Sequence, residues 1–469
     1  MVSIMSEVRR ISLPYETSLT TLFPKISDLP YPILLDSNHD HFPDTRFDIL
    51  SAAPLAVLSA SSDEHQLEWF SEPCINIADN SSPLILIENI VECMSQQPWA
   101  TEEQTGFIGG LLGYYGYEAG RYVETLPRTV NEDVGMPVIL LGLYGWAVVT
   151  DHQQQTTTLI LTPWSQLDEA SLYDRFTSPE PNSPQASTFR LSGAFNANMS
   201  AEGYAERFAK VQDYIQAGDC YQVNLAQRFS APYKGAPWDA YLALKASCPT
   251  PFGAYLQLPD GRAVLSHSPE RFIQSHAGRV ESKPIKGTRP RGLTPAEDQA
   301  FAEELMNSEK DRAENLMIVD LLRNDLGRNC VTGSVKVPKL FALESYANVH
   351  HMVSTVEGRV AKPSEAIKVF QESFPGGSIT GAPKVRSMEI IDELEPNERS
   401  VYCGSILYFS SNSEMDSSIT IRTLVADGEK IHCWAGGGLV ADSNGAEEYQ
   451  ETFTKVGNLT HTLEKEFLR

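Results

Sequence analysis

The sequence predicts an α+β fold: large, mostly antiparallel β-sheets forming a sandwich covered by helices. Three observations carry this reading. Short apolar runs bounded by turn residues fill 20–160. Strand-like runs recur from 220 and again from 400, while amphipathic stretches suited to helices occupy 295–325, 363–373 and 383–394. Strands and helices are mixed without strict alternation, which disfavours a doubly wound parallel sheet.

In chain order, "PILLDS" (32–37), "FDILSA" (47–52), "LAVLSA" (55–60), "VGMPVILLGLYGWAVVTD" (134–151) and "TTTLILTP" (156–163) read as strands. Between them, "GFIGGLLGYYGYEAGRYVE" (106–124) sets Gly113, Gly116 and Gly120 among aromatics, as in a tight chain crossing where side chains do not fit. These glycines lack the strand and spacing of a dinucleotide fingerprint. "FTSPEPNSPQASTF" (176–189) holds three prolines and no apolar period, and predicts a surface loop or linker. The chain thus divides into an N-terminal region (1–175), a loop or linker (176–195) and a catalytic region (196–469). A helix over 198–219 has Ser200 at its start and Gly218 at its stop. Strands follow at "YQVNLAQRF", "FGAYLQL", "AVLSHS" and "RFIQSH", then at 400–410, 417–426 and 430–440. Asn444 with Glu447 makes a capping box for a terminal helix over 444–467.

Of 469 residues, 37 are basic and 61 acidic, so the formal charge is 37 − 61 = −24. Such a surface repels phosphate backbones and anionic lipid, which excludes nucleic acid and membrane surfaces as expected partners. An anionic substrate must be drawn in by a local basic pocket or a metal ion. The seven cysteines are scattered and odd in number, which predicts reduced thiols in a cytoplasmic protein. The start, "MVSIMSEVRRISLPYETS", has no apolar core of a secretory signal, and no run of 18 apolar residues predicts a membrane helix.

Several stretches hold side chains able to do chemistry. "KPIKGTRPRG" (283–292), read as a loop, places Lys286 among arginines and prolines, either for solubility or as a reactive amine. Glu314 lies among apolar residues of an amphipathic helix (309–328), consistent with a buried ion-pair network or a ligand role. Glu448 and Glu451 share one helix face, either solvated or held together by something positive, such as Lys455 or Mg²⁺. The glycines of "CWAGGGLVADS" and of "PGGSITGAPKVRSMEIIDELEP" read as turns whose N–H groups could cradle an anion, or as plain tight turns. Glu270 follows a proline in "SHSPERF" and, taken alone, reads as a surface residue; the histidines of "HHMVSTVEGRV" read as packed and hydrogen-bonded.

Together, "SPERF", "PIKGTRPRG", "AENLMIVDLLRNDLGR", "HHMVSTVEG", "PGGSITGAPKVRSMEIIDELEP", "SITIRTL" and "AGGGLVADSNGAEEYQETFTKV" resemble, in order, the motifs of the chorismate-utilising enzyme family. The resemblance spans roughly 200–469, with looser matches at "PILLDS", "RFDIL" and "GGLLGYYGYEAGR". It implies a sandwich like that of anthranilate synthase component I. It further implies that Glu314 and Glu451, with Glu448 beside them, bind Mg²⁺, which holds the ring carboxylate of chorismate. Arg422, the backbone of Gly436, Gly437 and Gly438, and Lys455 would receive substrate carboxylate, with Thr288, Thr380 and His351 at the ring. Glu270 would be the general acid at the departing C4 hydroxyl.

Two positions indicate the reaction. Gln222 stands where water-activating members carry lysine, and Lys286 stands where anthranilate-forming members carry alanine. The resemblance therefore implies amination of chorismate at C4, with Lys286 as a covalent nucleophile and Arg289 and Arg291 as the positive surroundings that favour its neutral form. The product, 4-amino-4-deoxychorismate, leads to 4-aminobenzoate and folate. Ammonia would come from a separate glutamine amidotransferase subunit. Leu35, Asp36 and Ser37 resemble the segment lining a tryptophan pocket in relatives. Anthranilate formation and a non-catalytic structural subunit are the alternatives.

Overall fold

The computed structural model describes residues 7–77, 82–101, 106–178, 188–346 and 349–468. Two sheets form its frame. One has 13 strands, of which eleven run, in order, through Arg9–Leu13, Thr156–Leu161, Trp146–Asp151, Phe47–Ser51, Ile33–Asp36, Phe252–Gln257, Ala263–Ser268, Thr423–Ala426, Lys430–Leu439, Gln222–Lys234 and Arg190–Leu191, with Asn196–Ala197 and Gly381–Ala382 pairing Gln222–Lys234 off that path. The other has 11 and runs from Ile285–Pro290 through Val349–Arg359, Arg279–Ser282, Arg271–His276, Met415–Ile419, Ser405–Ser410, Gly110–Tyr115, Ile139–Tyr144 and Ala56–Ala60 to His65–Trp69. Lys336–Ser345 pairs with Val349–Arg359 off that path. The strand ladders that position the site are antiparallel. This is the predicted α+β architecture, and each sheet draws strands from both sides of residue 176.

The apolar runs read as continuous because the first sheet is buried on both faces. Ile33, Ile49, Val264 and Val425 join one apolar cluster, while their neighbours Leu34, Leu50, Leu265 and Leu424 join the other. Side chains alternate faces along a strand, so both sets must be apolar. The first cluster continues between the sheets to Leu111, Phe272 and Phe409. The second lies beneath the terminal helix Gly445–Phe467, through Val456, Leu459 and Leu463.

Gly113 lies where the sequence suggested a crossing without room for side chains. A Cβ there would stand 2.0 Å from the Leu140 carbonyl oxygen, and one at Gly116 2.9 Å from that of Ser400. The helix over 201–217 starts on Ser200, whose hydroxyl accepts from Gly203 N–H, and stops at Gly218 in the left-handed conformation. Asn444 caps the terminal helix by accepting from Ala446 and Glu447 N–H. Of the expected linker (176–195), residues 179–187 lie outside the described residues; Thr177 ends a helix and Arg190–Leu191 is an edge strand.

Helix Glu309–Asn329 is fixed at two points. Buried Ser354 donates to Asn315 at 2.5 Å, tying the helix to strand Val349–Arg359. Lys384 donates to Asp325 at 2.7 Å and to the Ser373 carbonyl at 2.8 Å, tying the helix to Lys384–Leu394. Asp320, on the same helix, is exposed and pairs with Arg323 one turn on. No helix among the described residues is long and apolar enough to cross a membrane, and the seven cysteines are free thiols.

Candidate active site

Lys286 sits not in a loop but in the edge strand Ile285–Pro290, where edge position tolerates Pro290. Ile285 faces Val353 and Thr288 faces His351, so three steps on this strand oppose two on its neighbour. The extra residue is a bulge at Lys286 and Gly287, and a bulge re-aims the side chain it carries. Gly287 has φ +84°, and a Cβ there would meet Leu305 Cδ1 at 2.7 Å and Asp311 Cγ at 2.9 Å, so only glycine fits. Lys286 Nζ donates to the Ser378 carbonyl at 3.5 Å, a long contact. Arg289 and Arg291, expected to act on Lys286, are committed elsewhere: Arg289 pairs with Glu304 and Asp311, and Arg291 with Asp298.

Glu270 is 6% exposed, contrary to its surface reading. Its carbonyl accepts from Ile419 N–H at 3.0 Å and its N–H donates to Ser268 Oγ at 3.2 Å, which pulls the "SPE" turn into the core. Burial lifts its pKa to about 7, with the charge of Lys286, the Ser378 hydroxyl and Ile285 N–H opposing that rise. Ser378 therefore lies beside both residues: its carbonyl accepts from Lys286, and its buried hydroxyl, which has no hydrogen-bond partner in the protein, is near enough to Glu270 to favour the charged carboxylate. The sequence marked Ser378 only as part of a glycine turn, because its role depends on contacts with segments about 100 residues away.

The three acidic residues come from two helices. Burial raises the pKa of Glu314, Lys286 and Lys310 oppose that rise, and Glu451 adds to it. Burial also raises Glu448, which accepts from Ser443 Oγ at 2.8 Å, and Glu451 again adds to the rise. Glu451 pairs with Lys455 at 2.6 Å, and Lys455 Nζ also donates to the Gly436 carbonyl at 2.9 Å. These are hard oxygen donors that feel one another's charge, which suits a Mg²⁺ ion. Among the described residues no three His, Cys, Asp or Glu side chains are gathered closely enough to hold a metal by themselves. Waters and substrate oxygens would have to complete the shell.

Gly436, Gly437 and Gly438 do not form a turn; they lie inside strand Lys430–Leu439, opposite Ala226, Leu225 and Asn224. At Gly436 backbone crowding requires glycine, while at Gly437 and Gly438 a larger residue would displace the ends of two side chains. A Cβ would stand 2.5 Å from the Leu225 carbonyl oxygen at Gly436, 2.7 Å from Glu448 Oε2 at Gly437, and 2.2 Å from Gln222 Nε2 at Gly438. Pairing with Thr423–Ala426 on the other edge stops at Cys433. The remaining edge leaves backbone groups of the glycine run for a ligand, among the described residues. Gln222 is fully buried, and neither end of its amide has a protein partner.

Thr288 Oγ1 and His351 Nδ1 are 2.9 Å apart across the ladder. Burial, then the nearby Arg422, lowers the His351 pKa to about 4, so its ring is neutral near pH 7. Arg422 is exposed and holds φ at +50°, a conformation uncommon outside glycine that tends to occur at functional sites. Thr380 is fully buried, and its hydroxyl donates to the Gly376 carbonyl at 3.0 Å.

Leu35, Asp36 and Ser37 lie apart from these residues. They line a cavity of 1160 Å³ with Phe42, Phe252 and Tyr346. Its wall reaches Pro269 and Ile285, the chain neighbours of Glu270 and Lys286, but neither of those two residues. Asp36 is 2% exposed; it ion-pairs with Lys245 and accepts from Tyr241 OH at 3.3 Å and Asn38 N–H at 3.0 Å.

The chain is 46% identical over 455 residues to aminodeoxychorismate synthase component 1 of Salmonella typhimurium, covering 97% of this chain and 98% of that protein. It is 46% identical over 443 residues to the protein of that name from Escherichia coli, with 94% and 95% covered. Among solved structures, anthranilate synthase component I from Streptococcus pneumoniae superposes with a TM-score of 0.76 at 29% identity, covering 89% of this chain and 92% of that one. Residues 42–461 match the chorismate binding enzyme family, and the chain belongs to that family.

Proposed function

We propose that this chain is an aminodeoxychorismate synthase component 1, which converts chorismate and ammonia to 4-amino-4-deoxychorismate. The observation that carries this reading is the pairing of a bulge-mounted Lys286 with buried Glu270 about the Ser378 turn. The names of the Salmonella and Escherichia coli relatives support it. "Component 1" in those names supports a second subunit, in our reading a glutamine amidotransferase that delivers ammonia.

Lys286 Nζ attacks C2 of chorismate as its free base. The ring double bonds shift, the C4–O bond breaks, and Glu270 gives its proton so that the hydroxyl leaves as water. Ammonia then bonds to C4, the double bonds shift back, and the C2–N bond to Lys286 breaks, the amine keeping its electron pair. One ammonia proton returns to Glu270. Two displacements restore the configuration that one would invert. Burial keeps a large share of Glu270 protonated near neutral pH, as a general acid requires. The Gly436–Gly438 edge and Arg422 receive substrate carboxylate, and neutral His351, bonded to Thr288, offers a hydrogen bond rather than a charge at the ring. Mg²⁺ bound by Glu314 and Glu451, with Glu448, would neutralise the ring carboxylate. Pyruvate elimination, which would yield anthranilate, is not expected.

We further propose that the Leu35–Ser37 cavity holds tryptophan, on the strength of its aromatic walls at Phe42, Phe252 and Tyr346. Calorimetric titration should then show stoichiometric heat; none at millimolar tryptophan would remove the idea.

The purified chain with chorismate, Mg²⁺ and ammonium should give 4-amino-4-deoxychorismate and no anthranilate by liquid chromatography with mass detection. Glutamine should replace ammonium only when the amidotransferase subunit is added. Anthranilate or isochorismate as the main product would overturn the assignment. Without ammonia, peptide mass spectrometry should find a chorismate-derived adduct on Lys286, and an adduct that persists in Lys286→Ala would exclude the covalent step. Glu270 loses its proton as pH rises through about 7, so kcat/KM at constant free ammonia should fall across that value. Glu270→Gln should lower kcat by on the order of 10²–10⁴-fold and remove that limb. A wild-type profile level through it would dismiss Glu270 as the acid.

A further inference from the structure

Behind the substrate-facing turn lies a fully buried ion pair. Arg399 is 1% exposed and sits against the ring of Tyr117, its guanidinium carbon 4.6 Å from the centroid. Its Nε and Nη2 donate to the two oxygens of Glu395 at 2.9 and 2.6 Å, a bidentate fork. The guanidinium makes two more bonds, both to backbone. Nη1 donates to the Ile379 carbonyl at 2.9 Å, and Nη2 to the Asn224 carbonyl at 2.7 Å.

Those two carbonyls belong to the two halves of the site. Ile379 stands between Ser378, whose carbonyl receives Lys286, and Thr380. Asn224 lies opposite Gly438 in the ladder that carries the glycine run, and its N–H donates to the Thr380 carbonyl at 2.8 Å. Glu395 adds a fourth tie, because its Oε1 accepts from Ala226 N–H at 2.8 Å, and Ala226 faces Gly436. One rigid planar fork thus spans from the turn that meets Lys286 to the strand that backs the glycine edge. A lysine could keep the charge but not this geometry.

We propose that Arg399, oriented by Glu395, is a positioning residue: it fixes the 377–380 turn against strand Gln222–Lys234 and so sets where Lys286 stands relative to the glycine edge. This rests on the reading of the site given above. A buried pair is weak evidence for stability on its own, since desolvation offsets much of its attraction. Its bonds to two backbone carbonyls give it a further role, in geometry. A displacement of about 1 Å at reacting groups can cost on the order of a hundredfold in rate.

The test compares Arg399→Lys with Arg121→Lys in the full chain. Arg121 also bridges buried acids of this region, Asp392 at 2.9 Å and Glu398 at 2.7 Å, but these bonds do not reach the turn. Three quantities are read: the thermal midpoint, kcat and KM for chorismate at saturating ammonium, and the labelling rate of Lys286 by acetic anhydride, followed by peptide mass spectrometry. Arg399→Lys should lower kcat/KM by on the order of tenfold to a hundredfold and change Lys286 labelling severalfold against the other lysines. Arg121→Lys should lower the midpoint and leave both other readings near wild type. Glu395→Gln should act in the same direction as Arg399→Lys, and it decides if Arg399→Lys does not fold. A lower midpoint with Lys286 labelling unchanged, or equal kinetic effects from Arg121→Lys, would overturn the proposal. Labelling needs no turnover, so failure of wild type to aminate chorismate would count against the proposed function and leave this comparison intact.

Discussion

The site depends above all on one ladder, the pairing of Gln222–Lys234 with Lys430–Leu439 from Val223 opposite Leu439 to Pro232 opposite Lys430. Strand pairing in the central part of a sheet is specified by register, and a slip of one residue would turn every side chain to the opposite face. Here the register sets Gln222 against the glycine run and places Gly437 under Glu448. The same strand carries the short pairing of Gln222 and Val223 with Ala382 and Gly381, which brings the Ser378 turn alongside. A Cβ on Gly377 in that turn would lie 1.9 Å from Leu321 Cδ2, so the turn and the Glu314 helix are in direct contact. Segments more than 200 residues apart in sequence thus reach one place through backbone hydrogen bonds and close glycine contacts.

Electrostatics complete the arrangement. A chain of net charge −24 has to bind a dicarboxylate, and the potential that attracts it must be local. Arg422 supplies positive charge, while Arg289 and Arg291 are neutralised by acidic partners. Burial does the rest, moving Glu270, Glu314 and Glu448 upward and His351 downward. Each shift favours the neutral form of its group, as expected where protein replaces water.

The sequence made the frame legible where burial is uniform. Strands such as Ile33–Asp36 and Ser405–Ser410 have apolar middles with polar residues only at their ends, and Ser200 and Asn444 marked helix starts that the backbone confirms. It failed where polarity is mixed. Lys336–Ser345 is a strand whose residues are mostly exposed, and its apolar residues, Val337 and the run 340–343, do not alternate with polar ones, so no strand period shows. Ile285–Pro290 holds a glycine and a proline and reads as a loop, because edge strands admit both. The glycine run read as a turn, since nothing local shows that Leu225, Glu448 and Gln222 fill the space where side chains would go. For the same reason the depth of Glu270 and the reach of Arg399 were invisible: both follow from contacts with distant segments.

The bulge at Lys286 separates two properties that usually travel together in a β-sheet. The residue at a regular strand position contributes its side chain to a face of the sheet, so exchanging it perturbs packing. At Lys286 the fit against Leu305 and Asp311 is made by Gly287, and the lysine's hydrogen bond among the described residues is a long one, to Ser378. The scaffold therefore places little structural demand on which residue occupies position 286. A fold of this kind can exchange the side chain it presents at this position by one substitution while its sheets remain as they were.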